Sequence, residues 1–531
     1  MFFTIDCQSE TADREGTAND VTHASRPDHL PPRRAAAGSR LAGRPPMGGW
    51  SAEVVAAYRG SDRPAVIGAG EMVTGSGLLA AAAGAASWFE SFGLPPGLPL
   101  PALVTASADT LAMLLAGAAT GHPLAPLGPR LTAAELSGAV VAPGSQVLLH
   151  EPAFAGLAAE LARVTGVRAV PVAGLPAGSD IARLAAPDAD SVAAYLHTGG
   201  TTGTPKRVPL TQRVLFRRSA VLAGLTGMDS PDAVYATGSP VHHIGGLGNI
   251  LAALSAGAAV VATASFSADW WRGLETHAVT HALLVPSMIE MLLAEGALDA
   301  VSLRTLIYGA SPMRPETLSR VLGLLPGVRM VNLFGQTEGS PITCLTPADH
   351  ALASSGRPEL LQSVGRPVPG LDVRIDVPDE TGAGEVLARA AHLSMPDPDG
   401  WLRTGDIGRL DTDGYLYLVG RTHDRIVRGG ENVYPAEVEQ VLESHPGVAA
   451  AGVTGVPDER LGQTIAAFVV PSDASNPPDA DELRRYTRER LAGFKVPAFW
   501  YSAVSLPHSA AGKLLRRELA SRHADRAAPS D

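Results

Sequence analysis

HTGGTTGTPK, residues 197–206, follows the apolar run VAAYL and ends on one of only three lysines in a chain of 531 residues. Three glycines let a backbone approach an anion closely, the threonines offer hydroxyls, and successive amides can form a concavity for phosphate oxygens. Lys206 completes that cradle as a compact cation. No GK[ST] closes the run and Pro205 stands before the lysine, so this is not the loop of the P-loop nucleotidases. Lysine and arginine together number 42, and with three lysines at Lys206, Lys495 and Lys513 the remaining 39 are arginine. A surface cation can be either residue, whereas a point charge on a flexible stem is not replaced by a planar fork. Lys206 and Lys513, the latter ending HSAAGK, are therefore candidates for chemistry. Lys495, in GFKVP, is open between a structural role and contact with an acceptor.

Around the loop, apolar runs such as VLLH, VRAVPV, AVVAT and HALLVP alternate with helical segments from about Trp50 to about Gly420, which predicts an α/β body with buried strands. From Gly356 to Gly420 short strands separated by Gly, Pro and Asp turns predict a small β subdomain. Beyond Arg421 a new alternating unit, with the helical PAEVEQVLESHP and DELRRYTRERLAGF and the strand AAFVVPS, predicts a small α+β domain. Residues 1–48, rich in Arg, Asp, Pro, Gly and Ser, are expected to be a disordered extension, and 521–531 a disordered tail.

A net charge of −11 argues against a nucleic-acid binder, which needs a basic face. Two cysteines, Cys7 and Cys344, make no disulfide framework and fit a reducing cytoplasm. The stretch from Ile244 to Ser265 is broken by glycines and polar residues and predicts a buried helix and strand rather than a membrane span.

Further motifs follow in order: LIYGASPM at 306–313, VNLFGQTEGSP at 331–341, GWLRTGDIGRLDTDGYLYLVGR at 400–421, RIVRGGENVYPAEVE at 425–439 and LPHSAAGKLLRREL at 506–519. Together with the 197–206 loop they resemble the adenylate-forming superfamily, in its acyl-CoA synthetase branch. The loop is usually TSGSTGxPKG there. Gly199, Thr201 and Arg207 depart from that pattern and leave its hydroxyl-rich character intact. The resemblance implies two doubly wound α/β subdomains with a small β-barrel-like subdomain over residues 49–420, and a mobile α+β lid over 421–520. It implies ATP, Mg2+ and coenzyme A, used to make an acyl-adenylate and then a thioester.

Carried over residue by residue, the resemblance gives Thr198, Gly199, Gly200, Thr201, Thr202 and Gly203 to the phosphates with Lys206. Gly309, Ala310 and Ser311, with Asn332, Phe334, Gly335 and Gln336, fall around the adenine and the acyl pocket, Phe334 standing where a tyrosine is usual. Thr337 would contact phosphate and Glu338 would hold the metal. Asp406 and Arg421 would take the ribose diol, with a structural ion pair as the plain alternative. His423 replaces the usual hinge Asp or Lys. Arg428, Gly429, Gly430 and Glu431 would line a tunnel for the pantetheine arm, and Lys513 would be the cation of adenylation. His243, in SPVHHIGGLGNILAAL, would gate the carboxylate pocket. No acid stands near it to bind an amino group, which disfavours an α-amino acid.

The reading is thus a cytoplasmic carboxylate–CoA ligase for a short, medium or aryl acid, for which a homodimer is allowed and a nucleic-acid partner is not expected. Its alternatives are an enzyme that loads a carrier-protein thiol or another nucleophile, and a nucleotide-binding protein without catalysis. One departure stands apart: GEVLARAAHLSMPDPDG, residues 384–400, is shorter than the superfamily's usual stretch.

Overall fold

The computed structural model describes residues 49–68, 72–141, 144–172, 174–185, 188–198, 206–299, 302–508 and 514–527. The expected extension, residues 1–48, lies outside them. The body starts at Trp50, which is buried and donates its indole N–H to the Leu251 carbonyl at 2.9 Å.

Two sheets dominate. The first has six strands in the order Arg168–Pro171, Val147–His150, Leu100–Leu103, Leu124–Pro126, Val192–Thr198 and Lys206–Thr211. Its strands are parallel except the last, which folds back antiparallel on Val192–Thr198. The second has nine strands, with a parallel centre running Arg329–Phe334, Thr305–Gly309, His281–Leu284, Val234–Thr237, Ala259–Val261 and Pro64–Ile67. Antiparallel strands finish both edges. VLLH and HALL are buried at every position, as strands covered by helices on both faces must be.

One apolar core joins the sheets. Leu100, Leu149, Leu196 and Val208 from the first pack in the same cluster as Val66, Tyr235, Ile307 and Val331 from the second. The helix Gln212–Thr226 leaves the last strand of the first sheet. Thr211 caps it by accepting from the Val214 N–H at 3.2 Å, and Gly227 ends it in a left-handed conformation. It packs on the helix Ile244–Ala256, which with the strand Ala259–Val261 accounts for the apolar stretch read as helix and strand. No helix among the described residues is long and apolar enough to cross a membrane.

The small β subdomain is a four-stranded antiparallel meander, Asp372–Asp376, Gly384–Arg389, Leu402–Leu410 and Leu416–Arg421. Its strands follow one another in linear order, each paired to the next in sequence. The C-terminal unit is a five-stranded sheet with helices Pro435–Glu443, Ala480–Arg488 and Arg516–Ala527. Residues 521–527, expected to fray, are the end of that last helix. Leu519 is buried and the His523 ring is hydrogen-bonded to the Tyr501 hydroxyl at 2.7 Å, which docks the helix on the sheet.

Burial holds the imidazoles of His281 and His392 down to about 4, well below the usual 6.5. The unfolded chain therefore binds protons that the folded chain refuses, so stability is full above pH 6.5 and falls as pH drops toward 4. Each histidine should steepen that fall by about 1.4 kcal/mol per pH unit. Urea unfolding of His281→Gln across this window should show a slope shallower by about that amount than the native chain; an unchanged slope would contradict it.

Candidate active site

The Thr198 and Lys206 backbones pair directly in the antiparallel register, and the Thr198 hydroxyl donates to the Lys206 carbonyl at 3.4 Å. This pair brackets the glycine-threonine loop. Gly199, Gly200, Thr201, Thr202 and Gly203 lie outside the described residues, as does Lys513. The ends of the Lys513 segment are also tied: His508 bridges Leu514 antiparallel, and the Leu515 N–H donates to the Pro507 carbonyl at 2.9 Å.

Opposite Lys206, strand Arg329–Phe334 of the other sheet ends in GQTEGSP. The Gln336 N–H donates to the Gly339 carbonyl at 2.7 Å and the Gly339 N–H returns to Gln336 at 3.0 Å, a tight turn that pushes Thr337 and Glu338 outward. Gly335 permits it, since a Cβ there would stand 2.6 Å from the Gly339 oxygen. The Ser394 N–H fixes the Glu338 carbonyl at 2.7 Å. The Lys206 Nζ then lies 3.6 Å from Glu338 Oε1, with 54% of the lysine side chain and 13% of the glutamate exposed.

Around this pair the backbone is pressed close. At Gly309 φ is 157° and a Cβ would meet the Leu333 oxygen at 2.3 Å. Ala310 follows at φ 69°, a left-handed conformation an alanine adopts only under constraint, and Ser311 is half-buried beyond it. Asn332 is buried, with its amide donating to the Tyr308 carbonyl at 3.4 Å and its Oδ1 unsatisfied. Phe334 packs against the shared core.

Asp406, 5% exposed, and Arg421 are register partners on adjacent strands, and Arg421 Nε lies 3.0 Å from Asp406 Oδ1. The structural ion pair offered as the plain alternative is present. The arginine side chain is half-exposed, while that of the aspartate is buried beneath it. Asp411 accepts from the N–H groups of Asp413 and Tyr415 at 2.9 and 2.8 Å, which makes it a turn residue.

His243 precedes the helix Ile244–Ala256, its ring 4.3 Å from that of His242, centroid to centroid. Burial, then the neighbouring His243 and Arg130, push His242 down to about 3; burial and Arg207 push His197 down to about 4. Both rings are neutral at physiological pH.

On the C-terminal unit, His423 lies in a short 3-10 turn, Thr422–Asp424. Arg516 pairs with Asp424 at 3.1 Å and with both oxygens of Glu439, and donates to the Val453 carbonyl at 2.8 Å. Gly429 and Gly430, at φ 60° and 91°, form the two-residue turn of a hairpin in which Arg428 faces Glu431. Both glycines are demanded by that turn. Arg428 caps the carbonyls of Phe494 and Val496 at 2.6 and 3.1 Å, and Lys495 binds both oxygens of Glu437 at 2.6 and 2.8 Å. Lys495 is thus structural in this arrangement.

Sequence reasoning missed Arg218, His392 and Ser394, which form a buried group behind the Glu338 turn. The signal for His392 and Ser394 was the shortened 384–400 stretch. Arg218 gave none, because one arginine of an Arg-Arg pair on a helix reads as solvated.

The site fits a magnesium nucleotide. No group of three or more His, Cys, Asp or Glu gathers among the described residues, so a divalent ion would be held by Glu338 together with phosphate oxygens, as Mg2+ commonly is. The orphaned Asn332 Oδ1 is an acceptor for an exocyclic amine of a base, and the flat floor at Gly309 leaves room for it.

Residues 53–395 match the model of the AMP-binding enzyme family, and residues 437–513 that of the AMP-binding enzyme C-terminal domain. A fatty acid–[acyl-carrier-protein] ligase, ScoC, of Streptomyces coeruleorubidus is 36% identical over 500 residues, covering 86% of this chain and 93% of its own. A 2-succinylbenzoate–CoA ligase of Bacillus licheniformis is 33% identical over 471 residues, 86% and 96% of the two chains. Among solved structures, the amide bond synthetase McbA of Marinactinospora thermotolerans superposes with a TM-score of 0.79 at 30% identity, covering 89% of this chain and 99% of its own. The O-succinylbenzoate coenzyme A synthetase of Bacillus subtilis, bound to ATP and magnesium ion, gives 0.75 at 28% identity over 89% and 99%. With a family model covering more than half its length and relatives matched nearly end to end, the chain belongs to the AMP-binding, adenylate-forming enzymes.

Proposed function

We propose that this chain is an ATP-dependent acid–thiol ligase that activates a small carboxylic acid as its acyl-adenylate and passes the acyl group to the thiol of coenzyme A. The observation that carries the reading is the meeting of Lys206 and Glu338 at 3.6 Å, a cation at the mouth of an anion loop facing the acid of a separate sheet. Residues 49–420 form the body and 421–520 a lid turning about His423. In the cytoplasm, where ATP and coenzyme A are abundant, the buried Cys344 stays a thiol.

In the first half-reaction a carboxylate oxygen of the acid bonds to the α-phosphorus of ATP while the bond to pyrophosphate breaks, its electrons leaving with pyrophosphate. An anion approaches an anion, so charge neutralisation and positioning supply most of the catalysis. Lys206 and the loop from Thr198 to Gly203 hold the departing phosphates, with Thr337 beside them. Bound Mg2+, held by Glu338, neutralises phosphate charge. Asn332 takes the base between Gly309, Ala310, Ser311 and the Phe334–Gln336 segment, and Asp406 with Arg421 accepts the ribose. Lys513 brings the cation that bridges carboxylate and α-phosphate. In the second half-reaction the lid withdraws Lys513 and presents the Arg428–Glu431 turn. The thiol gives its proton to solvent, its sulfur bonds to the acyl carbon as the acyl carbon–oxygen bond to AMP breaks, and the electrons of that bond leave with AMP. His243 gates the carboxylate pocket beside the thiol's path.

A carrier-protein thiol is the second reading. Arg428 Nη1 and Lys495 Nζ, lid donors beside the turn, are already engaged with the Phe494 and Val496 carbonyls and with Glu437, which weakens their claim on the phosphates of coenzyme A. The strong likeness to a carrier-protein ligase points the same way.

Pyrophosphate release over a panel of carboxylic acids, then thioester formation with coenzyme A or a carrier protein, tests both. Release with no acid would sink the adenylation reading, and thioester on the carrier alone would move the acceptor. Glu338→Gln should lower pyrophosphate release by on the order of 10²-fold or more, as loss of a charge-stabilising group does. Lys513→Arg should lower adenylation by a similar order while thioester formation from added acyl-adenylate continues; equal loss of both steps would place Lys513 elsewhere.

A further inference from the structure

Helix Gln212–Thr226 carries Arg217 and Arg218 side by side, and Arg218 is 1% exposed. Its Nη2 donates to the His392 carbonyl at 3.5 Å, at the limit of a hydrogen bond. Its Nε and Nη1 have no acceptor among the described residues. A guanidinium carries five N–H donors, and the three on these two nitrogens meet no acceptor among the described residues. Burial lowers the group to about 10, opposed by the Glu338 carboxylate, so it remains a cation at neutral pH. An unpaired buried charge is among the most costly features a folded chain can hold. A second unsatisfied group stands nearby: Ser394, whose N–H holds Glu338, has a buried hydroxyl without a partner among the described residues.

These groups form the wall behind the Glu338 turn. The His392 Nε2–H donates to the Pro341 carbonyl at 2.8 Å, and the ring is neutral, so it adds no competing cation. The side chains of Leu393 and Leu402 close on Gly339, where a Cβ would meet them at 3.0 and 2.6 Å. His392 and Ser394, both within the 384–400 stretch, hold the two flanks of this turn at Pro341 and Glu338. Arg218 is on the helix that packs between the phosphate strand Lys206–Thr211 and the helix begun at His243. It stands about 9 Å along that helix from its first residue. The phosphates have their own cation in Lys206, so Arg218 is not needed there.

We propose that Arg218 anchors the far end of the acyl substrate, and that this substrate is a dicarboxylic acid whose second carboxylate pairs with the buried guanidinium. The proposal rests on the adenylation reading and names its substrate class. A hydrocarbon end would leave the cation unpaired, and a neutral hydroxyl would accept a hydrogen bond without discharging it. A carboxylate does both. The Ser394 hydroxyl supplies a further donor to the same anion.

The test compares α,ω-dicarboxylic acids with monocarboxylic and ω-hydroxy acids of equal length, by pyrophosphate release, on the native chain, Arg218→Met and Arg218→Lys. The native chain should favour the diacid by on the order of 10²-fold in kcat/KM, because a site built around a polar partner rejects the analogue that lacks it. Arg218→Met should reverse the order, monoacids overtaking diacids, and Arg218→Lys should keep part of the diacid preference. Methionine removes an unpaired charge at similar volume, so Arg218→Met should melt no lower than the native chain without substrate. A diacid should raise the melting temperature of the native chain and not of the variant. A native chain that releases pyrophosphate equally with monoacids, or favours the hydroxy acid, overturns the proposal while leaving adenylation standing. So does an Arg218→Met variant that loses both classes alike. Release with no acid of any class overturns the adenylation reading and this proposal with it.

Discussion

The 3.6 Å approach of Lys206 to Glu338 exists only because two sheets share one apolar core. Lys206 opens the edge strand of the six-stranded sheet, and Glu338 tips the turn after a central strand of the nine-stranded sheet. Nothing local relates residues 132 positions apart. What relates them is the cluster in which Leu196 and Val208 pack with Ile307 and Val331. Cores are close-packed and transmit small displacements, so a change deep in that seam moves the cation relative to the acid. The site is therefore a property of the seam, and neither sheet alone would hold it.

The turn chemistry around the pair follows from the same constraint. Space between the sheets is short, so the backbone itself lines it: Gly309 and Gly335 leave no room for a Cβ, and Ala310 accepts a left-handed conformation beside them. Such strain persists where the surroundings over-determine it. Here those surroundings are named hydrogen bonds, Gln336 with Gly339 and Ser394 with Glu338. The orphaned polar atoms of Asn332, Arg218 and Ser394 gather around these same segments. Elsewhere the chain meets its charges with ordinary ion pairs, such as Arg516 with Asp424 and Glu439.

Much of this was legible in the sequence because glycine, threonine and apolar runs have local meanings. The buried strands VLLH and HALL and the helix and strand of the Ile244–Ser265 stretch could all be read from spacing and residue type. The meander could be placed between its Gly, Pro and Asp turns, while the register of its strands depends on pairings that no single stretch of sequence records. The last helix was hidden because its apolar contact is a single Leu519 with a histidine docked on Tyr501. Arg218 was invisible in principle. Burial of one arginine in a pair depends on which face of the helix the rest of the fold covers, and no neighbour in sequence records that.

Lysine rarity was a useful guide with one clear limit. Lys495 is as rare as the others and is spent on Glu437, a bidentate pair that anchors the first turn of the helix Pro435–Glu443. What separates it from Lys206 is exchange. Glu437 keeps its partner in a half-buried pocket with no anion loop beside it, whereas Lys206 is more than half exposed and its contact with Glu338 is loose at 3.6 Å. A loose pair at high exposure is held weakly and is easily traded for a better partner. In the proposed reaction the entering triphosphate is that partner. Lys206 swings to the phosphate oxygens on its flexible stem, and Glu338 is released to its own task. An arginine there would bind Glu338 through a planar fork and give it up less readily. The chain thus keeps lysine where a cation must change hands, and Lys495 marks where rarity alone stops being informative.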